Sequence, residues 1–179
     1  MTRFFARLGL SLLVTAGIFS SVPASAKVTL SFYSVQTSLM SLRSVHAFFD
    51  LKGTLDSDGT VINENYGFSA KNSSFGLFFH PVKQAMLSEN QSYIDKANYH
   101  FSVTISDATY HQIVSEVDTW AHNPEYKWDI DKRNCVTFVG VVAQMAGLKV
   151  DFPKEMMRKP KTYLTHIKQM NPKVLAMGN

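Results

Sequence analysis

The chain has one cysteine among its 179 residues, so no internal disulfide framework can hold it together. Charge is sparse at 18% and hydrophobic residues reach 45%, which excludes intrinsic disorder. No glycine period marks a collagen-like chain, and no repeat, low-complexity segment or linker divides it. No two of the six histidines show a metal-ligand spacing such as His-x-x-x-His, so no metal or cofactor is expected. There is no basic stripe interleaved with aromatics, so no nucleic-acid partner is expected either. The length suits one domain whose own core suffices without staples.

Residues 1–26 read as a leader rather than as fold. Arg3 and Arg7 supply a positive start, residues 8–19 are apolar but short for a bilayer, and Ala24-Ser25-Ala26 is a small-x-small cleavage pattern. The alternative is an uncleaved N-terminal anchor. Cleavage after Ala26 leaves residues 27–179 as a single domain with a charge of about +2 and no remaining span. The expected location is the periplasm or the medium. A solitary thiol in that oxidising setting is either buried and inert or kept for chemistry.

Along the mature chain, residues 28–34 alternate as a strand does. Residues 44–53 read as a buried strand, with Val45, Ala47, Phe49 and Leu51 on one face and His46 and Phe48 on the other. Asp56-Ser57-Asp58-Gly59 marks a turn, and residues 60–69 return as the second arm of a hairpin. Residues 70–98 are poorly legible; Phe75, Leu77, Phe78 and Phe79 fit a strand or a packed loop. Residues 99–105 are a strand candidate. Ser106-Asp107 opens a helix with Tyr110, Ile113, Val117 and Trp120 on one face, and His122-Asn123-Pro124 stops it. A second helix is expected over 134–146, capped by Gly147, and Tyr163, Leu164 and Ile167 suggest a last short one. Strands followed by helices make the class α+β.

Asn134 is a good N-cap, which puts Cys135 in the first helical position. Unpaired amides and the positive end of the helix dipole favour a thiolate there, and the same amides suit an oxyanion. Lys132 and Arg133 add positive potential. An inert cysteine packed in the first turn fits the position equally well. A nucleophilic cysteine needs a base. His122 is explained by its helix end, His111 rides the same helix, His166 lies in the basic tail, His80 precedes Pro81 and His100 begins a strand. His46 stands apart on an apolar strand, where imidazole is costly without partners. Taken alone, it fits a satisfied core histidine at least as well as a base.

Together these residues resemble the circularly permuted branch of the NlpC-like, papain-like cysteine hydrolases, to which lecithin retinol acyltransferase and its relatives belong. The matching pieces are Val45-His46-Ala47-Phe48-Phe49-Asp50-Leu51, the hairpin through Gly59-Thr60-Val61-Ile62, and Asn134-Cys135-Val136-Thr137-Phe138-Val139. The resemblance implies a permuted papain-like fold, an antiparallel sheet packed against helices with the nucleophile at a helix start. It also implies Cys135 as nucleophile, His46 as base and then acid, and a third polar group orienting the imidazole. Asn63, Glu64 and Asn65 lie where the return strand passes the histidine. Glu64 is chosen, because alternation with Ile62, Tyr66 and Phe68 turns its carboxylate into an apolar layer where it needs a partner. A structural ion pair with a lysine or arginine is its other reading. The stretch before Ser106 is longer and more aromatic than the family pattern requires, which suits a substrate groove or lid.

The expectation is therefore an exported cysteine amidase or peptidase working through an acyl-enzyme, with cell-wall peptides as the substrate suggested by family analogy. The same chemistry on a lipid ester, or acyl transfer, is the enzymatic rival; an apolar groove would favour lipid and a polar cleft peptide. A catalytically inactive envelope binding module and a purely structural envelope protein are the non-enzymatic rivals.

Overall fold

β-Branched and aromatic residues in alternation make the strands, and the way the strands change partners makes the site. A computed structural model describes residues 27–36, 45–72 and 75–177; the expected leader lies outside the described residues. Five antiparallel strands run β1 (Val28–Gln36), β2 (Val45–Thr54), β3 (Val61–Ala70), β4 (Gln84–Leu87) and β5 (Asn98–Ile105). Their order in the sheet is β4-β3-β2-β1-β5. A single-turn helix α1 (Gln91–Ile94) precedes β5, and α2 (Asp107–His122), α3 (Cys135–Met145), α4 (Pro160–Met170) and α5 (Pro172–Met177) follow it. The result is a mixed α+β structure, an antiparallel sheet packed against helices. Among the described residues no helix is long and apolar enough to cross a membrane.

The β2–β3 hairpin closes on the expected turn. Gly59 takes the left-handed φ of 76° that glycine adopts at no steric cost, and the Asp58 carboxylate accepts from the Thr60 amide at 2.9 Å. Asp107, in the first turn of α2, accepts from the amides of Asp56 and Ser57 and ties the turn to that helix. Alternation then sorts the faces. Ala47, Phe49 and Leu51 join the main core with Leu30, Phe32 and Phe138. On the opposite face Phe48 stacks on Tyr33 and meets Tyr93 of α1. The helices expected from periodicity form as α2 and α3. The stretch 70–98, illegible in sequence, resolves into a 3-10 turn (Phe75–Phe78), β4 and α1.

β3 changes partner part-way along. Its first half pairs with β2, from Val61↔Thr54 to Tyr66↔Phe49. Its second half pairs with β4, from Gly67↔Leu87 to Ala70↔Gln84. The start of β2 therefore loses its β3 neighbour, and the N-terminal end of α3 comes against the strand there.

Candidate active site

The cap of α3 is built as the local sequence requires, and it reaches further than a cap must. The Asn134 Oδ1 accepts from the amides of Val136 and Thr137 at 2.8 and 3.2 Å, while the Thr137 hydroxyl accepts from the Asn134 amide at 2.8 Å. The same side chain donates through Nδ2 to the carbonyls of Ile130 at 2.6 Å and Met157 at 2.8 Å. Asn134 thus pins the segments carrying Ile130 and Met157 to the helix start beside Cys135. Asn134→Ala should cost about 2–4 kcal/mol, a lost cap plus buried carbonyls left unpaired, read as a lower urea midpoint.

Cys135 is the first residue of α3 and is buried. The Ala47 amide donates to its sulfur, so the sulfur lies against β2 one residue beyond His46. Its own amide and that of Val136 also favour the thiolate, but burial outweighs all three and pushes the thiol up to about 11. The helix start was expected to lower this value; removal from water reverses the sign. Nor does Arg133 serve the sulfur as expected: its guanidinium stacks 4.3 Å over the Tyr126 ring and donates to the Glu125 carbonyl.

His46 projects from β2 on the face away from the main core, its ring stacked near Phe48. Burial lowers its pKa to about 4, so the imidazole is neutral at ordinary pH. Nε2 is buried and has no hydrogen-bond partner. The nearest carboxylate oxygen is Glu89 Oε1 at 3.8 Å, beyond hydrogen-bond length. Gly67 on β3 lies against the same nitrogen, and a Cβ there would collide with it. Burial raises the Glu89 carboxyl. Tyr93 is pushed up to about 12, first by burial and then by the charges of Glu89 and Cys135, which places its hydroxyl close to both groups.

Glu64 does not reach the histidine. The register pairs it with Leu51, five residues along β2 from His46, roughly 17 Å of strand. Alternation does turn its carboxylate toward the helices, as expected, but that is the face opposite His46. There it accepts from the Tyr66 hydroxyl at 2.9 Å and lies 3.3 Å from that of Tyr110. Two phenols, not an imidazole or a lysine, satisfy it. Asn63 is exposed. Asn65 shares the His46 face and binds the main chain of Glu89 at both its amide and its carbonyl. Glu89 and Tyr93 were missed because they lie in the illegible stretch; the one available signal was that Glu89 is the sole acidic residue between Glu64 and Asp95.

Cys135, His46, Glu89 and Tyr93 line one cavity of about 530 Å³, within the range of about 300–1,000 Å³ usual for small-molecule sites. Lys71, Leu77, Phe78 and Leu87 supply part of its wall, so the extra stretch before Ser106 builds the groove. The remaining histidines are elsewhere. His100 makes a buried 2.8 Å hydrogen bond with Ser34, His122 pairs with Asp118 and His166 with Asp151. Among the described residues no cluster of His, Cys, Asp and Glu could hold a metal.

No model of a known protein family matches the sequence, and no curated protein matches it. Among solved structures the chain is similar to the crystal structure of TseH, a type VI secretion system effector. The TM-score is 0.52 at 12% identity, over 87% of this chain and 97% of that one. Likeness at that identity concerns the fold alone.

Proposed function

We propose that the chain is an exported cysteine hydrolase of permuted papain-like fold that cleaves an amide or ester through an acyl-enzyme. The observation that carries this reading is that Cys135 and His46 open into one cavity, with the sulfur on the amide of the residue after the histidine. With Nε2 turned toward Glu89 and Gly67, Nδ1 is the ring nitrogen left for the sulfur. Neutral His46 takes the thiol proton at Nδ1 as the sulfur bonds to the carbonyl carbon. The imidazolium then gives that proton to the departing amine or alkoxide, and water activated by His46 releases the acyl group. The amides of Val136 and Thr137 are committed to Asn134, so the oxyanion falls to the Cys135 amide. The Tyr93 hydroxyl is the nearby side-chain donor.

The cavity favours the lipid-ester version of this chemistry over cell-wall peptides. Outside the reacting groups its walls are mainly apolar, including Phe68, Leu77, Trp128 and Ile130. Of its polar side chains, Asn134 is spent on the cap and Arg158 on a paired contact with Asp131 at 2.7 and 2.8 Å. Ser69, Lys71 and the Trp128 indole N–H remain for a polar substrate, which would leave many of its own groups unpaired. Mixing the mature protein with p-nitrophenyl esters and peptide p-nitroanilides, followed by intact mass measurement, tests the reading. An acyl adduct on wild type, absent from Cys135→Ala and formed faster with long-chain esters, is expected. No adduct with any probe would leave a binding module.

A further inference from the structure

We propose that Glu89, carried on the loop between β4 and α1, is the positioning residue for His46: its carboxylate takes the Nε2–H hydrogen bond when the site is occupied. The inference rests on the reading of His46 as the base, and replaces a strand residue with one from the inserted stretch.

Four observations support it. The Nε2 atom is buried without a partner, and the carboxylate nearest to it is that of Glu89, 3.8 Å away. A closing movement of about 1 Å completes the bond, and catalytic hydrogen bonds commonly tighten only in the complex. The loop that carries Glu89 is itself held: the Asn65 side chain accepts from the Glu89 amide and donates to its carbonyl at 3.0 Å. Asn65 in turn is set against β2 by its pairing with Asp50. Directly against Nε2 β3 offers no side chain, because the residue there is Gly67 and any side chain would occupy the space. Finally, among the described residues no lysine or arginine forms an ion pair with Glu89, so its carboxylate is not already committed.

The titratable side chains that line the cavity with His46 are Cys135 from α3, Glu89 from the loop and Tyr93 from α1, with Lys71 beyond β3 and Arg158, the last paired with Asp131. Burial holds Cys135 and Tyr93 in their neutral forms near neutral pH, so the carboxylate of Glu89 is the group among the three that can bring a negative charge to the ring. A carboxylate on Nε2 fixes the tautomer with Nδ1 free to accept the thiol proton, and then favours the imidazolium that results. Without it, both the tautomer and the charge lose their support.

The test uses the mature protein and reads nitrogen-15 NMR of the His46 ring beside the pH profile of iodoacetamide alkylation at Cys135. In wild type the Nε2–H tautomer dominates. Glu89→Gln keeps an acceptor but removes the charge, and should keep the tautomer while slowing alkylation near neutral pH about tenfold, one pKa unit. Glu89→Ala should lose both, and Glu89→Asp should restore part of the rate. Asn65→Ser, which loosens the loop without touching the ring, should fall between wild type and Glu89→Ala; it keeps the test open if a Glu89 variant fails to fold. Wild-type tautomer and rate in Glu89→Ala, with alkylation slowed in His46→Ala, would overturn the role of Glu89 and leave the cysteine–histidine pair standing. Unchanged alkylation in His46→Ala would remove the base itself.

Discussion

His46→Ala should lower turnover of any ester that acylates Cys135 by roughly a hundred- to ten-thousandfold, the usual worth of a positioned acid–base group. The loss should be this large because His46 is the cavity's neutral imidazole and the amide of the next residue, Ala47, lies on the sulfur. The thiol is pushed up to about 11 by burial, so near neutral pH it is almost wholly un-ionised and depends on a base at the moment of attack. A free enzyme with a stable thiolate would alkylate readily well below pH 8; here alkylation of the resting protein should instead climb toward alkaline pH. Unfolding should not account for the lost activity. The imidazole has an unpartnered buried nitrogen, so the fold loses packing but no hydrogen bond when it is removed. Equal kcat in wild type and His46→Ala, with matching melting curves, would sink the catalytic assignment.

The second large effect is acid destabilisation at two buried histidines. Burial lowers both His46 and His100 from 6.5 to about 4; for His100 the charges of Lys161 and Lys168 add to burial. A histidine whose pKa is depressed by folding contributes its full share of stability above the unfolded value. Between pH 6.5 and 4 the unfolded chain binds protons that the native state refuses, and stability falls as pH falls. For His46 this amounts to about 2–3 kcal/mol by pH 4.5. His100 should add less, since its imidazole keeps a hydrogen bond to Ser34 and solvent screens part of the penalty. Urea unfolding at pH 7 and pH 4.5 measures the sum, and His46→Ala should remove the larger part of the difference. A midpoint that does not change between those pH values would mean that neither ring is held neutral by burial. The thiol contributes the mirror image: its proton is retained on folding, so stability should also fall as pH rises from 9 toward 11.

What the sequence by itself determined is local. Asn134 followed by Cys135, Val136 and Thr137 specifies a capped helix start through contacts three residues long, and the cap forms with its reciprocal bonds. Alternation told which residues of β2 and β3 share a face, and Asp58-Gly59 told where the hairpin turns. That was enough to single out Cys135 and His46, which the fold brings to one cavity. Tertiary structure decided the rest. Alternation could orient Glu64 but not say which face held the histidine or where along the strand it lay, because both follow from register. Glu89 comes within 3.8 Å of His46 because β3 leaves β2 for β4 at Gly67 and Asn65 clasps the following loop, pairings between residues fourteen to twenty-four apart in the chain. The sign of the thiol's shift was decided the same way. A helix dipole is written in a few consecutive residues, whereas removal from water depends on every segment that packs over the sulfur, and here that is the stronger effect.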